Sequence, residues 1–163
     1  MSDIRVYIPT TLTGLAQIVG DGGVGPGPIY AHAVTDALRD EQPDGTEEDW
    51  EYVAMTAAAR GALALLDEDE PPRRVVVVMD IDSALPVEGG DPTAVAIQEV
   101  VSADRIAAVH VDGSEAEGDV RDARDAWDEA AAGDQTAQAA VERGLDHELG
   151  WFATQEINDL LDS

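Results

Sequence analysis

Apolar and polar positions interleave along most of this chain, but residues 73–82, Arg-Arg-Val-Val-Val-Val-Met-Asp-Ile-Asp, stay apolar on consecutive positions. Four β-branched side chains in a row are stiff at χ1 and fit a pleated strand better than a helix. A strand without a polar side has water on neither face, so the run predicts a central strand with layers above and below it. Residues 4–8 follow another rule: Ile4, Val6 and Ile8 alternate with Arg5 and Tyr7, the mark of a strand with one face in the core, and Pro9 ends it.

Helical spacing takes over at Leu12, Leu15, Ala16 and Val19, with Thr10 or Thr11 as the cap and Gly20 as the stop. Residues 20–28 are a glycine- and proline-rich loop, and 29–34 suit a short strand. Thr35 can cap a short helix over Asp36–Glu41, which the Pro43-Asp44-Gly45 turn terminates. Thr46, with Asp49 three residues on and acids through the first turn, starts the longest helix. Tyr52, Met55, Ala59, Leu63 and Leu66 form its predicted stripe, laid across the central strand. Strands are predicted over 94–101 and 107–112. Helices then follow around Val120, Ala123, Trp127 and Ala130, over 137–143, and around Phe152, Ile157 and Leu160. These elements amount to a single α+β or α/β domain: a mixed sheet of about four to five strands covered by helices, with a helical C-terminal third.

Charge narrows the choice of partners. The chain holds 35 acids against nine bases, every base an arginine, for a net −26. Such a surface repels phosphate backbones and anionic lipid, so nucleic acid and membrane are not expected partners. The absence of cysteine removes disulfides, thiolate nucleophiles and sulfur-ligated metal and fits a reducing compartment. With no leader pattern and no membrane span, the expectation is a soluble cytoplasmic protein.

Several segments together resemble a family of uncharacterised actinobacterial proteins classed only as a domain of unknown function. They are Arg-Val-Tyr-Ile-Pro-Thr-Thr-Leu at 5–12, Ala-His-Ala-Val-Thr at 31–35, Glu-Tyr-Val-Ala at 51–54, Arg-Arg-Val-Val at 73–76, Ala-Ala-Val-His-Val-Asp at 107–112, Asp-His-Glu-Leu at 146–149 and Trp-Phe-Ala-Thr-Gln-Glu-Ile at 151–157. The likeness runs nearly the whole length and brings no activity, cofactor or catalytic residue with it. It agrees with a lysine-free, alanine-rich composition, which makes the acidic surface a matter of solubility before it is a matter of function.

Four patterns carry candidate chemistry. Gly20, Gly22 and Gly25 spell the dinucleotide-binding fingerprint, but a helix precedes them and Pro26 and Pro28 follow, so no helix N-terminus faces a pyrophosphate. Asp80 and Asp82, ending the apolar run, resemble the paired aspartates of haloacid dehalogenase-type phosphotransferases. Those enzymes set the pair on their first strand and need a downstream basic residue and a further acidic pair. His147-Glu148 begins a zinc-peptidase motif whose second histidine would stand where Trp151 is. The composite grouping remains: His32, His110 and Asp112, joined by Asp80 and Asp82 if the strand ends converge. It could hold a divalent metal or supply a general base.

Two function classes follow. The leading one is a non-enzymatic interaction or accessory protein with an unknown protein partner or a second copy as a homodimer, no cofactor and no metal. It predicts an exposed apolar patch around Trp127, Trp151 and Phe152. The rival is a small enzyme or metal-binding protein, which predicts two of the grouped side chains within hydrogen-bond reach. Charge mimicry of a nucleic acid, a third class, requires carboxylates in two rows spaced like duplex phosphates.

Overall fold

The four valines lie where their pattern puts them, no more than 3% exposed. Residues 3–162 are described by a computed structural model, in which the run belongs to strand β4 (Val75–Ile81). Ahead of it come β1 (Ile4–Thr10), helix α1 (Leu12–Asp21), β2 (Gly23–Val24), β3 (Ile29–Ala33), α2 (Asp36–Glu41) and α3 (Glu47–Leu65). After it come β5 (Leu85–Pro86), β6 (Ala94–Ile97), β7 (Val101–Ser102), β8 (Ile106–Val111), α4 (Glu117–Ala131), α5 (Gln135–Leu145), β9 (Gly150–Phe152) and α6 (Ile157–Asp162).

The architecture is α+β, and the expected mixed sheet is overturned. Seven strands form one sheet in the order β5-β6-β3-β1-β4-β8-β9, every ladder antiparallel, and β2 pairs with β7 in a separate ribbon. The expectation of about four to five strands fails because β2, β5, β7 and β9 are two or three residues long, too short to show a period. The α/β alternative fails with it, since no pair of neighbouring strands is parallel. The middle place belongs to β1, with β4 beside it in the interior. In the C-terminal third, α4 and α5 are helical as expected, but β9 returns to the sheet and pairs with β8.

Alternation along β4 sorts its side chains between two layers. Val75, Val77, Met79 and Ile81 join Val6 and Ile8 beneath Leu15 and Ile18 of α1 and Ile157 and Leu160 of α6. Val76 and Val78 join Tyr7 beneath Ala54 and Ala58 of α3. Of the predicted stripe, Ala59, Leu63 and Leu66 are buried and Met55 packs at the edge, but Tyr52 is 63% exposed, and against the sheet the helix buries Ala54, Ala58 and Ala62 with no exposure. Small side chains let the backbone of α3 approach the sheet closely, with Tyr52 left at the rim. A third cluster, Leu63 and Leu66 with Val120, Ala123 and Val141, seats the α4–α5 hairpin against the end of α3.

Local signals set the helix starts. Thr11 accepts from the Gly14 N–H at 3.0 Å, and Gly22, in the left-handed region at φ 78°, closes α1 two residues beyond the expected stop. Thr46 and Asp49 form the full capping box at α3, as their spacing predicts. The glycine-rich loop is explained by close approach: a Cβ at Gly27 would run into the Ile97 carbonyl oxygen, and the backbone N–H of Gly27 donates to the Gln98 carbonyl. No helix among the described residues is long and apolar enough to cross a membrane.

Candidate functional site

Where β1 begins and β3 ends, the sheet stops short of two helices and leaves a cleft of about 420 Å³. Thr35 forms one wall by starting α2: its hydroxyl accepts from the Leu38 N–H at 3.1 Å and donates to the Pro92 carbonyl. The first turns of α3 form the other wall and present Glu47 and Glu51, one turn apart. Ile4, Ala33, Ala84 and Pro86 supply apolar floor and rim.

Most charges around this cleft already have partners. The Arg5 guanidinium donates to Asp80 from Nε at 2.9 Å and from Nη2 at 3.1 Å. This bidentate contact holds Asp80 below the usual carboxylate range and raises Arg5 further. Arg39 reaches Asp36 at 3.4 Å and Glu47 at 3.5 Å, and its guanidinium lies 5.5 Å from the centre of the Trp50 ring. Asp3 meets Arg105 at 3.2 Å. Two groups stay apart from these pairs. Glu51 makes no ion pair or hydrogen bond among the described residues. The Tyr7 hydroxyl likewise has no hydrogen-bond partner among them, although its residue is only 7% exposed and lines the cleft. Burial pushes the Tyr7 phenol up, and the charge of Glu51 adds to the shift.

The five residues grouped from the sequence occupy separate places, and no hydrogen bond or ion pair joins any two of them. Asp112 is fully buried and bound to Arg74. Asp80 is held by Arg5 and so touches the rim of the cleft, whereas Asp82 reaches Arg105 at 3.4 Å beside a smaller hollow of about 130 Å³. His32 and His110 share the face under α3, but β1 and β4 separate their strands. Three strand spacings of roughly 4.8 Å, with a two-residue offset along the strands, put them about 16 Å apart. Among the described residues no group of three histidine or carboxylate side chains is placed to hold a metal.

Each histidine has its own surroundings. Thr93 donates its hydroxyl proton to Asp91 at 3.0 Å, so His32 Nδ1–H must be the donor in the 2.7 Å contact with the Thr93 oxygen, and Nε2 is left as the acceptor. Burial lowers the pKa of His32, against a weaker upward pull from Asp91. His110 lies between Val76 and Trp151 on neighbouring strands, and burial lowers its pKa too. His147 meets Asp119 at 2.8 Å.

The three aromatics expected to form one patch do not meet. Trp151 is 62% exposed on β9. Phe152, its neighbour on the strand, points to the opposite face and packs on the large core cluster. Trp127 packs on the α3–α4 cluster with Arg60 5.3 Å from its ring centre. Sequence reasoning assigned Tyr7 to a solvent face and passed over Glu51. The available signal was Tyr7 itself, a large amphipathic ring alternating with core residues along its strand.

A family model described as a family of unknown function (DUF6912) matches residues 4–161. No curated protein matches the chain. Nor does any solved structure.

Proposed function

Since the chain belongs to the DUF6912 family, whose description assigns no activity, we propose from its geometry that it is a non-enzymatic interaction protein whose contact point is the cleft between β1, α2 and α3. One observation carries the reading: the hydroxyl of Tyr7, a residue only 7% exposed, has no hydrogen-bond partner among the described residues and lies in a concave site with an apolar floor and charged walls. That hydroxyl is open to solvent rather than buried without a partner, so a partner gains by pairing it and covering the apolar floor together. The candidate catalytic side chains support the same reading, because Asp80, Asp112 and His32 each serve a neighbour of their own.

The proposal includes a cytoplasmic setting, supported by a chain without cysteine, and an actinobacterial source, supported by arginine as its sole base. Ala37 is exposed on the cleft wall, so Ala37→Trp fills the site without touching the core. Affinity recovery from native lysate with the wild type and with this variant tests the reading. A partner retained by the wild type and lost by Ala37→Trp is the expected result. Identical recovery by the two proteins overturns it, and metal analysis of the same wild-type sample tests the rival metal-binding reading.

A further inference from the structure

The lining of the cleft specifies the chemistry of its occupant. Its charged residues are Asp3, Asp36, Glu47 and Glu51 against Arg5 and Arg39, so acids outnumber bases. Both arginines are engaged already, Arg5 by Asp80 and Arg39 by Asp36, Glu47 and the Trp50 ring. An anion would have to draw one of them away from a carboxylate. A cation breaks no hydrogen bond or ion pair, because the Glu51 carboxylate and the Tyr7 hydroxyl make none among the described residues and can both accept, while the charge of Arg5, which both feel, is already engaged by Asp80. Both line the same cleft, Tyr7 from β1 and Glu51 from α3.

We propose that the cleft receives an arginine side chain of a protein partner, its guanidinium donating to Glu51 and Tyr7 and its methylenes lying on Ile4, Ala33 and Pro86. A planar fork of five N–H donors can serve two separate acceptors at once, whereas an ammonium acts as a point charge. The apolar floor suits the stem of the same side chain. The net charge of −26 draws a basic partner toward the surface from a distance, and the cleft then selects one side chain. This inference rests on the interaction reading above and specifies what enters the site.

The test is an NMR titration with acetyl-Gly-Ala-Arg-Ala-Gly-amide, its citrulline and lysine counterparts, and free agmatine. Citrulline keeps the shape of arginine and removes the charge. The arginine peptide is expected to shift the amide signals of the cleft walls and to bind at least tenfold tighter than the citrulline peptide. Glu51→Gln should weaken it at least tenfold and Tyr7→Phe severalfold. Glu48→Gln removes the same charge from an exposed position outside the cleft and should change affinity by less than twofold.

Equal losses in Glu51→Gln and Glu48→Gln, or equal binding of arginine and citrulline peptides, overturn the proposal as a mere response to net charge. A lysine peptide that binds as tightly as arginine overturns the guanidinium assignment, and agmatine that matches the peptide overturns the protein source. If Ala37→Trp abolishes partner recovery from lysate while Glu51→Gln leaves it intact, the interaction reading stands and the arginine assignment falls.

Discussion

Arg74 grips Asp112 through two bonds, Nε to Oδ2 at 2.8 Å and Nη2 to Oδ1 at 2.9 Å, with the side chains 1% and 0% exposed. The same carboxylate accepts from the Arg74 backbone N–H at 2.8 Å, and Nη2 also donates to the His147 carbonyl at 2.7 Å. One guanidinium therefore ties the start of β4, the end of β8 and the segment leading into β9. Removing one partner strands a buried charge. Arg74→Met or Asp112→Leu alone is expected to cost about 3–5 kcal/mol, while the double variant costs clearly less than either. Urea denaturation of all three variants checks this, and additive losses would show that the pairing is not what the single variants disrupt.

Acid should loosen the fold in two steps. Burial keeps His32 and His110 below the ordinary imidazole pKa, so the unfolded chain takes up their protons first as pH falls. The stability gained by holding them neutral is complete above the unfolded value of about 6.5 and is lost as pH drops through their folded values. Asp80, depressed by Arg5, acts in a lower window: its contribution is present above the ordinary carboxylate pKa and disappears as pH falls through the depressed one. That pair is substantially exposed, so its contribution is at most about 1 kcal/mol. Denaturation midpoints measured from pH 7 to pH 3 should fall first in the imidazole range, and His110→Phe should flatten that first step.

The α4–α5 hairpin turns on one missing atom. A Cβ at Gly144 would lie 2.6 Å from the Ala123 Cβ and 3.1 Å from the Asp119 carbonyl oxygen, whereas one at Gly118 meets nothing within 4 Å. Gly144→Ala should therefore destabilise by about 1–3 kcal/mol through overpacking. Gly118→Ala should stabilise by up to about 1 kcal/mol through helix propensity. The opposite signs, read from thermal unfolding, separate helix crossing from intrinsic preference.

Thr35 serves α2 twice, as the acceptor for the Leu38 N–H and as the donor to the Pro92 carbonyl. Thr35→Val keeps its shape and loses both bonds, at an expected cost of about 1–2 kcal/mol. Because the residue also lines the cleft, hydrogen exchange should rise along α2 more than along α3. Uniform acceleration across both helices would contradict this local role.

The parts of this fold legible in the sequence are those with local causes. Four adjacent valines announce a strand enclosed on both sides, Thr35 fixes the start of α2, and the Thr46–Asp49 spacing fixes α3. Strand direction has no local cause, and Leu85–Pro86 or Gly150–Phe152 is too brief to show a period. The stripe on α3 is legible in part: Ala59, Leu63 and Leu66 are buried as predicted, but large residues weigh most in a hydrophobic pattern, whereas close packing on the sheet selects Ala54, Ala58 and Ala62 and leaves Tyr52 exposed. Asp112 was legible as lying on the His110 side of β8, but its partner is Arg74, 38 residues earlier. The cleft eluded sequence reasoning for the same reason, since Tyr7 and Glu51 line one site only when α3 lies back over β1.

The placement of β1 at the middle of the sheet bears on how the chain is made. Translation delivers that strand before either of its neighbours, and one of them, β4, is completed only when Ile81 has been added. A nascent chain must therefore carry an unsatisfied backbone edge on β1 until β4 has emerged, and the acids in the intervening segment, Asp44, Glu47, Glu48 and Asp49 among them, keep that waiting strand dispersed.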